Sequence, residues 1–284
     1  MNRRTTLFSA SLPGWAAERV VAVARLLGFT AIEWGVGPSE AIVDRRTAAE
    51  AADLCRRSGL HCGGISVQDK QVSLGTVDLA LPVVQLAAVL DAPHIRVRAP
   101  AYAETESLRR QQDSARRGLD ALVNACAPGQ VAVLVETSPD TLAPSPELAL
   151  ELISRYSPAQ VGVLYDPGNM IIEGHVEPRL AIARMDRYLA HVHVKNVAWR
   201  RRGDGWQWDY SGLGEGLADW SLIIRALAAA DYAGRFSIDH LPGSASETLL
   251  RTEARALSGL IDGAFPGACM PGNAGGPDGA GVAL

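Results

Sequence analysis

The sequence predicts an α/β protein, a single-domain (β/α)8 TIM barrel, on three observations. Eight short apolar runs rich in β-branched residues begin at Thr5, Ala31, His61, His94, Val131, Val161, His191 and Arg235. Their start-to-start spacings are 26, 30, 33, 37, 30, 30 and 44 residues. Segments of helical periodicity separate the runs, and strand–helix alternation at this interval reads as βα units on a parallel sheet. The alternative, an open doubly wound sheet, usually carries a glycine-rich phosphate turn after its first strand. The segment after Ser9, ASLPGW, contains none.

The elements follow in order. TTLFSAS is the first strand, and a helix is expected over Pro13–Leu27, ended by Gly28. AIEWGV is the second strand, followed by a helix over Thr47–Arg57 that stops before Gly59. HCGGISV is the third. The helix after it, Thr76–Asp91, contains Pro82 and is expected to kink or start late there. HIRVRA is the fourth strand, with a helix over Asp113–Ala125. VAVLVET is the fifth, and Ser145-Pro146-Glu147 then opens a helix to Tyr156. That triplet supplies an N-cap oxygen, a proline at the first helical position and a negative charge in the first turn. VGVLYDP is the sixth strand, and Glu177-Pro178 repeats the proline device for a helix to Leu189. HVHVKN is the seventh. Asp219 caps a helix over Trp220–Ala230, and RFSIDH is the eighth strand. The barrel is expected to occupy residues 1–265. Residues 266–284 have no hydrophobic period; from Gly267 on they hold six glycines and two prolines, and they are expected to form a flexible tail.

Composition sets the class. Of 284 residues, 48% are hydrophobic and 20% charged, which excludes a disordered chain. The net charge of −4 argues against a nucleic-acid partner. No run of about 18 apolar residues predicts a membrane span, and the N-terminus lacks the apolar stretch of a secretory signal. Cys55, Cys62, Cys126 and Cys269 form no C-x-x-C pair, so reduced thiols in a cytoplasmic protein are expected.

In a parallel barrel, chemistry collects at the carboxyl ends of the strands. Polar residues end several runs here: Glu33 on the second, Glu136 on the fifth, Asp166 on the sixth, His193 and Lys195 on the seventh, Asp239 and His240 on the eighth. A buried carboxylate without a cation costs several kcal/mol, roughly. A divalent metal resolves the convergence of four carboxylates and one imidazole on one mouth. Such oxygen-rich donors suit Mn²⁺ best, then Mg²⁺, with Co²⁺ and Zn²⁺ as alternatives.

The set GFTAIEWG, LVET, YDPGN, HVHVKN and LGEGLADW…DYAGRFSIDH resembles the xylose-isomerase-like barrels, the sugar phosphate isomerase/epimerase group, from about Leu7 to Leu260. The resemblance implies one divalent metal held by Glu136, Asp166, His193 and Asp239, with Glu136 and Asp239 as the catalytic acid/base pair. It also implies a homodimer or homotetramer. Three positions depart from the group's pattern: Asp239 replaces the commoner Glu, Asn169 stands where many epimerases have His, and Asn196 stands where Asp often follows the Lys.

The expected chemistry is proton transfer at a carbon next to a carbonyl, through an enediolate, giving sugar or sugar-phosphate isomerisation or epimerisation. The substrate, a small sugar or polyol, is expected to meet Glu33, His61, Arg98, Asn169, Lys195 and Arg200. A second enzymatic reading is dehydration of a keto-cyclitol or related polyol, which needs proton return less. A DNA-repair endonuclease would need a multi-metal, histidine-rich site, and the chain has six histidines. A non-catalytic sugar-binding barrel is the alternative of another class. The long seventh-to-eighth spacing puts about 14 extra residues on the catalytic face. The stretch Trp199–Leu213 carries Arg200, Arg201, Arg202, Trp206, Trp208 and Tyr210. It reads equally as a lid or specificity loop and as a loop packed on the rim or a dimer contact.

Overall fold

Eight parallel strands pair in the closed order β1-β10-β7-β6-β5-β4-β3-β2 in a computed structural model of the chain. The structure describes residues 1–68, 73–240 and 246–265. The barrel strands are β1 (Thr5–Phe8), β2 (Ala31–Val36), β3 (His61–Val67), β4 (His94–Arg98), β5 (Ala132–Glu136), β6 (Val161–Tyr165), β7 (Leu189–Val194) and β10 (Phe236–Ile238). All eight expected runs are strands of the barrel. Every residue of β1, β2 and β6 is buried, because one face fills the interior and the other lies under helices.

The surrounding helices are α1 (Ala17–Leu27), α2 (Arg45–Arg57), α3 (Val77–Leu90), α4 (Leu108–Cys126), α5 (Pro146–Ile153), α6 (Pro167–Glu173), α7 (Pro178–Met185), α8 (Trp220–Ala229) and α9 (Glu247–Ala264). Their ends obey the expected chemistry. Ser145, Glu177 and Asp219 each accept a bond from the backbone N–H three residues on. Gly28 ends α1 in the left-handed conformation, at φ 78°. Asp44 and Thr47 form a reciprocal capping box at α2.

Three expectations need revision. Helix α3 does not start late, and residues on both sides of Pro82 remain helical. The short helix α6 was not foreseen. Asp166 caps it and Pro167 is its first residue. The residues after β7 are an antiparallel hairpin, β8 (Asn196–Arg202) with β9 (Gly205–Ser211), rather than an irregular loop. The expected tail, 266–284, and with it Cys269, lies outside the described residues. Among the described residues no helix is long and apolar enough to cross a membrane.

Candidate active site

Glu136 is the last residue of β5, Asp166 directly follows β6, His193 lies near the end of β7, and Asp239 directly follows β10. All four are buried. Ligand-capable atoms of Glu136, Asp166 and His193 lie within 4.8 Å of one another. Nδ1 of His193 is 3.4 Å from Glu136 Oε1 and 3.8 Å from Asp239 Oδ2, yet among the described residues it has no hydrogen-bond partner. Asp166 Oδ1 accepts from the Asn169 N–H, whereas Oδ2 faces the Lys195 ammonium at 2.7 Å. An orphaned imidazole nitrogen between two carboxylates is the donor set a divalent cation requires, so the residues present fit a metal ion.

The fourth expected ligand stands differently. Asp239 Oδ2 is held by Lys195 Nζ at 2.7 Å and lies 3.2 Å from His240 Nδ1. One methylene shorter than glutamate, Asp239 borders the three-residue group and is not a member of it. Lys195, expected to meet substrate, bridges Asp166 and Asp239.

Cations compensate the buried carboxylates. Burial opposes ionisation of Glu136. Arg96, with Nε at 3.7 Å, then His193 and Arg98, with Nε at 3.4 Å, outweigh it and hold the carboxyl well below the usual range. Burial also opposes ionisation of Asp239, and Lys195, His240 and His193 overcome it. For Asp166 burial wins over the Lys195 charge, with help from Asp239 and Glu136, and its pKa is raised. Burial disfavours a charged His193, but Glu33 and Asp239 raise it to about 10.

Glu33, expected to orient substrate, orients the imidazole instead. Its Oε1 is 3.0 Å from His193 Nε2 and also accepts from Ser66 Oγ, while its Oε2 is 3.1 Å from His191 Nε2. Asn169 is likewise turned inward, its amide donating to the Thr137 carbonyl at 3.0 Å. Thr137 Oγ1 in turn accepts from the Asp166 N–H. Arg98 reaches the site through Glu136.

Two expected residues are not brought there. His61 opens β3, so it stands exposed at the amino end of the barrel, opposite the carboxylates. It lines a cleft of about 790 Å³ with Arg56 and Arg235 that holds none of the four carboxylates described above. Arg200 lies on the exposed part of β8, where its Nε is 3.9 Å from Asp209 Oδ2. The hairpin reaches the site through Tyr210, which stacks on His240 at 4.1 Å between ring centroids.

Sequence reasoning missed Arg96, fully buried with Nη1 donating to the Val67 carbonyl at 2.7 Å. The alternation His94, Arg96, Arg98 in HIRVR was the available signal, since alternate strand residues share a face. It also missed Asn196 as an anchor. The Asn196 amide donates to the Leu213 and Ala218 carbonyls and accepts from the Val197 and Ala218 N–H groups. The aspartate common at this position can supply no donor.

The family follows from comparison. The sequence model of the xylose isomerase-like TIM barrel family matches residues 21–260, and the chain belongs to that family. The chain is similar in structure to a probable 3-DHS dehydratase of Bacillus anthracis, with TM-score 0.72 and 18% identity over 90% of this chain and 98% of that one. It is also similar to a D-psicose 3-epimerase of Clostridium cellulolyticum, with TM-score 0.70 and 15% identity over 92% and 99%. A xylose isomerase-like barrel of Mycobacterium smegmatis in complex with magnesium gives TM-score 0.70 and 17% identity over 93% and 98%. At these identities the likeness concerns the fold alone. A comparison with curated proteins finds no match.

Proposed function

We propose that the chain is a divalent-metal-dependent isomerase or epimerase of a small sugar or sugar phosphate. The observation that carries this reading is the approach of Glu136 and Asp239 to the unpartnered His193 Nδ1 from two different strands, at 3.4 and 3.8 Å. A divalent ion, when bound, supplies Lewis-acid polarisation of the substrate carbonyl and charge stabilisation for the enediolate. Glu136, Asp166 and His193 would hold it, with Asp239 beside them. Carboxylate-rich donors suit Mn²⁺ or Mg²⁺, with Co²⁺ and Zn²⁺ as alternatives.

Glu136, kept ionised by Arg96 and Arg98, removes the proton from the carbon next to the carbonyl. Asp239 and Lys195 act as one unit on the other side. The ammonium at 2.7 Å positions the carboxylate, which returns to carbon a proton taken up from solvent. Tyr210 and His240 offer a stacked aromatic wall beside Asp239. The free thiols of Cys55, Cys62 and Cys126 fit a cytoplasmic setting.

The same Lys195–Asp239 contact supports a second reading, dehydration of a keto-cyclitol or related polyol. There the ammonium would protonate a departing β-hydroxyl, and no proton need return to carbon. The experiment is a screen of ketoses and β-hydroxy ketones in D₂O with Mn²⁺-loaded protein. Deuterium at the carbon beside the carbonyl with a changed configuration supports epimerisation. Growth of conjugated-ketone absorbance supports dehydration. If Glu136→Gln, shown to retain metal, turns over a confirmed substrate as fast as the native protein, Glu136 is not the base.

A further inference from the structure

A second group of ligand-capable atoms lies deeper in the barrel, on strands β2, β4 and β7. Glu33, His94 and His191 each offer one such atom, all within 4.8 Å of one another and all buried. Nε2 of His94 is buried without a hydrogen-bond partner among the described residues. The imidazole is not there by default, because the strand beside it is built to admit it. Gly64 on β3 has φ +142°, and a Cβ at that position would lie 2.1 Å from His94 Nε2. The β2–β3 register shifts between Ile32 and Glu33, next to this pair. Only glycine satisfies both the backbone conformation and the close approach.

We propose that Glu33, His94 and His191 form a second divalent-cation site, of the kind that takes Zn²⁺ or Co²⁺. Two imidazoles and one carboxylate are borderline donors, which suit these ions better than Mg²⁺ or Mn²⁺. His191 Nε2 and Glu33 Oε2 are 3.1 Å apart, close to the edge of a tetrahedral site with bonds of about 2.0 Å, which is about 3.3 Å. Ser237 Oγ, 2.8 Å from His191 Nε2, stands near as a further oxygen. The carboxylate serves both levels, since Oε2 faces the deep group while Oε1 holds His193. The ion clamps three strands beneath the upper site. The proposal makes no use of Glu136, Asp166 or Asp239, and it shares only Glu33 with the upper site.

The test is metal stoichiometry. Full-length protein stripped with a chelator is dialysed to equilibrium against excess Co²⁺, and bound cobalt is read by elemental analysis and visible absorption. The expected result is two Co²⁺ per chain, falling to one in His94→Ala and also to one in Glu136→Gln/Asp166→Asn, with folding checked by circular dichroism. If His94→Ala does not fold, His94→Gln and the double variant decide. Two ions in the native protein with no loss on replacing His94 overturn the proposal. So does a native stoichiometry of one that the double variant abolishes. A native stoichiometry of one that survives the double variant and is lost with His94 supports the deep site while removing the upper one.

Discussion

Glu33 on β2 and His193 on β7 meet across the barrel interior, with 3.0 Å between carboxylate and imidazole Nε2. Burial opposes ionisation of Glu33, but His193 and His191 outweigh it and hold it well below the usual carboxylate range. An ionised carboxylate only accepts, so Nε2 must donate. That leaves Nδ1 turned toward Glu136 and Asp239 as the ligating nitrogen. Replacing Glu33 with Gln removes the acceptor charge and frees the ring. Mn²⁺ affinity, read by calorimetry, is expected to fall about 10- to 100-fold while the fold persists. Unchanged affinity would show that Glu33 does not orient the ligand.

Asn196→Asp should destabilise the protein. The buried Leu213 and Ala218 carbonyls both lose their donor, and a buried carboxylate replaces the amide. The expected cost is about 2 kcal/mol or more. For a chain of this size the melting temperature should drop by about 4 °C or more, measured by calorimetry. A variant as stable as the native protein would mean that water or rearrangement replaces the amide.

Gly168→Ala probes Lys195. A Cβ at residue 168 would sit 2.6 Å from Lys195 Cγ, so the Lys195 side chain, which bridges Asp166 and Asp239, must shift. Displacement of a positioned catalytic group by about 1 Å costs about 10²-fold in rate. The expected outcome is that loss in kcat on a confirmed substrate, with KM changed little. A native kcat would show that Lys195 does not position Asp239.

The thiols give a pH signature. Burial pushes Cys55 and Cys126 up from 9.0 to about 11 and Cys62 to about 12. In the unfolded chain they ionise near the ordinary value. A raised folded pKa means that this contribution is complete below pH 9 and is lost as pH rises through 11. Denaturant midpoints should therefore fall between pH 9 and 11, with iodoacetamide labelling of the three thiols slow at pH 8. Rapid labelling of Cys55 at pH 8 in the folded protein would contradict the burial.

Much of this was legible in the sequence. The eight strands were, because each apolar run is bounded by turn and cap residues, as at Gly28 and Ser145. The positions of Glu136, Asp166 and Asp239 were legible because each ends or follows such a run, and that of His193 because it lies next to the end of one. His61 misled because it begins its run, and the two ends of a parallel strand open on opposite faces of the barrel. Glu33 and Asn169 were located but not their roles, since a polar residue in the middle of β2 or in α6 can point at substrate or at a neighbouring ligand. Arg96 and His94 were hidden inside a strand that reads as core. The hairpin was seen only as extra length; its strands pair locally from Asn196 with Ser211 to Arg202 with Gly205, and Trp199 and Tyr210 dock it on Ile171 and His240.

The central claim is that Glu136, Asp166 and His193 hold a divalent cation. Anomalous diffraction from crystals grown with Mn²⁺ tests it most directly. A manganese peak within about 2.5 Å of a carboxylate oxygen of Glu136, one of Asp166 and Nδ1 of His193, with Lys195 moved off Asp166, is the predicted result. The contradicting result is no peak between these side chains at saturating Mn²⁺, with Lys195 still bridging Asp166 and Asp239.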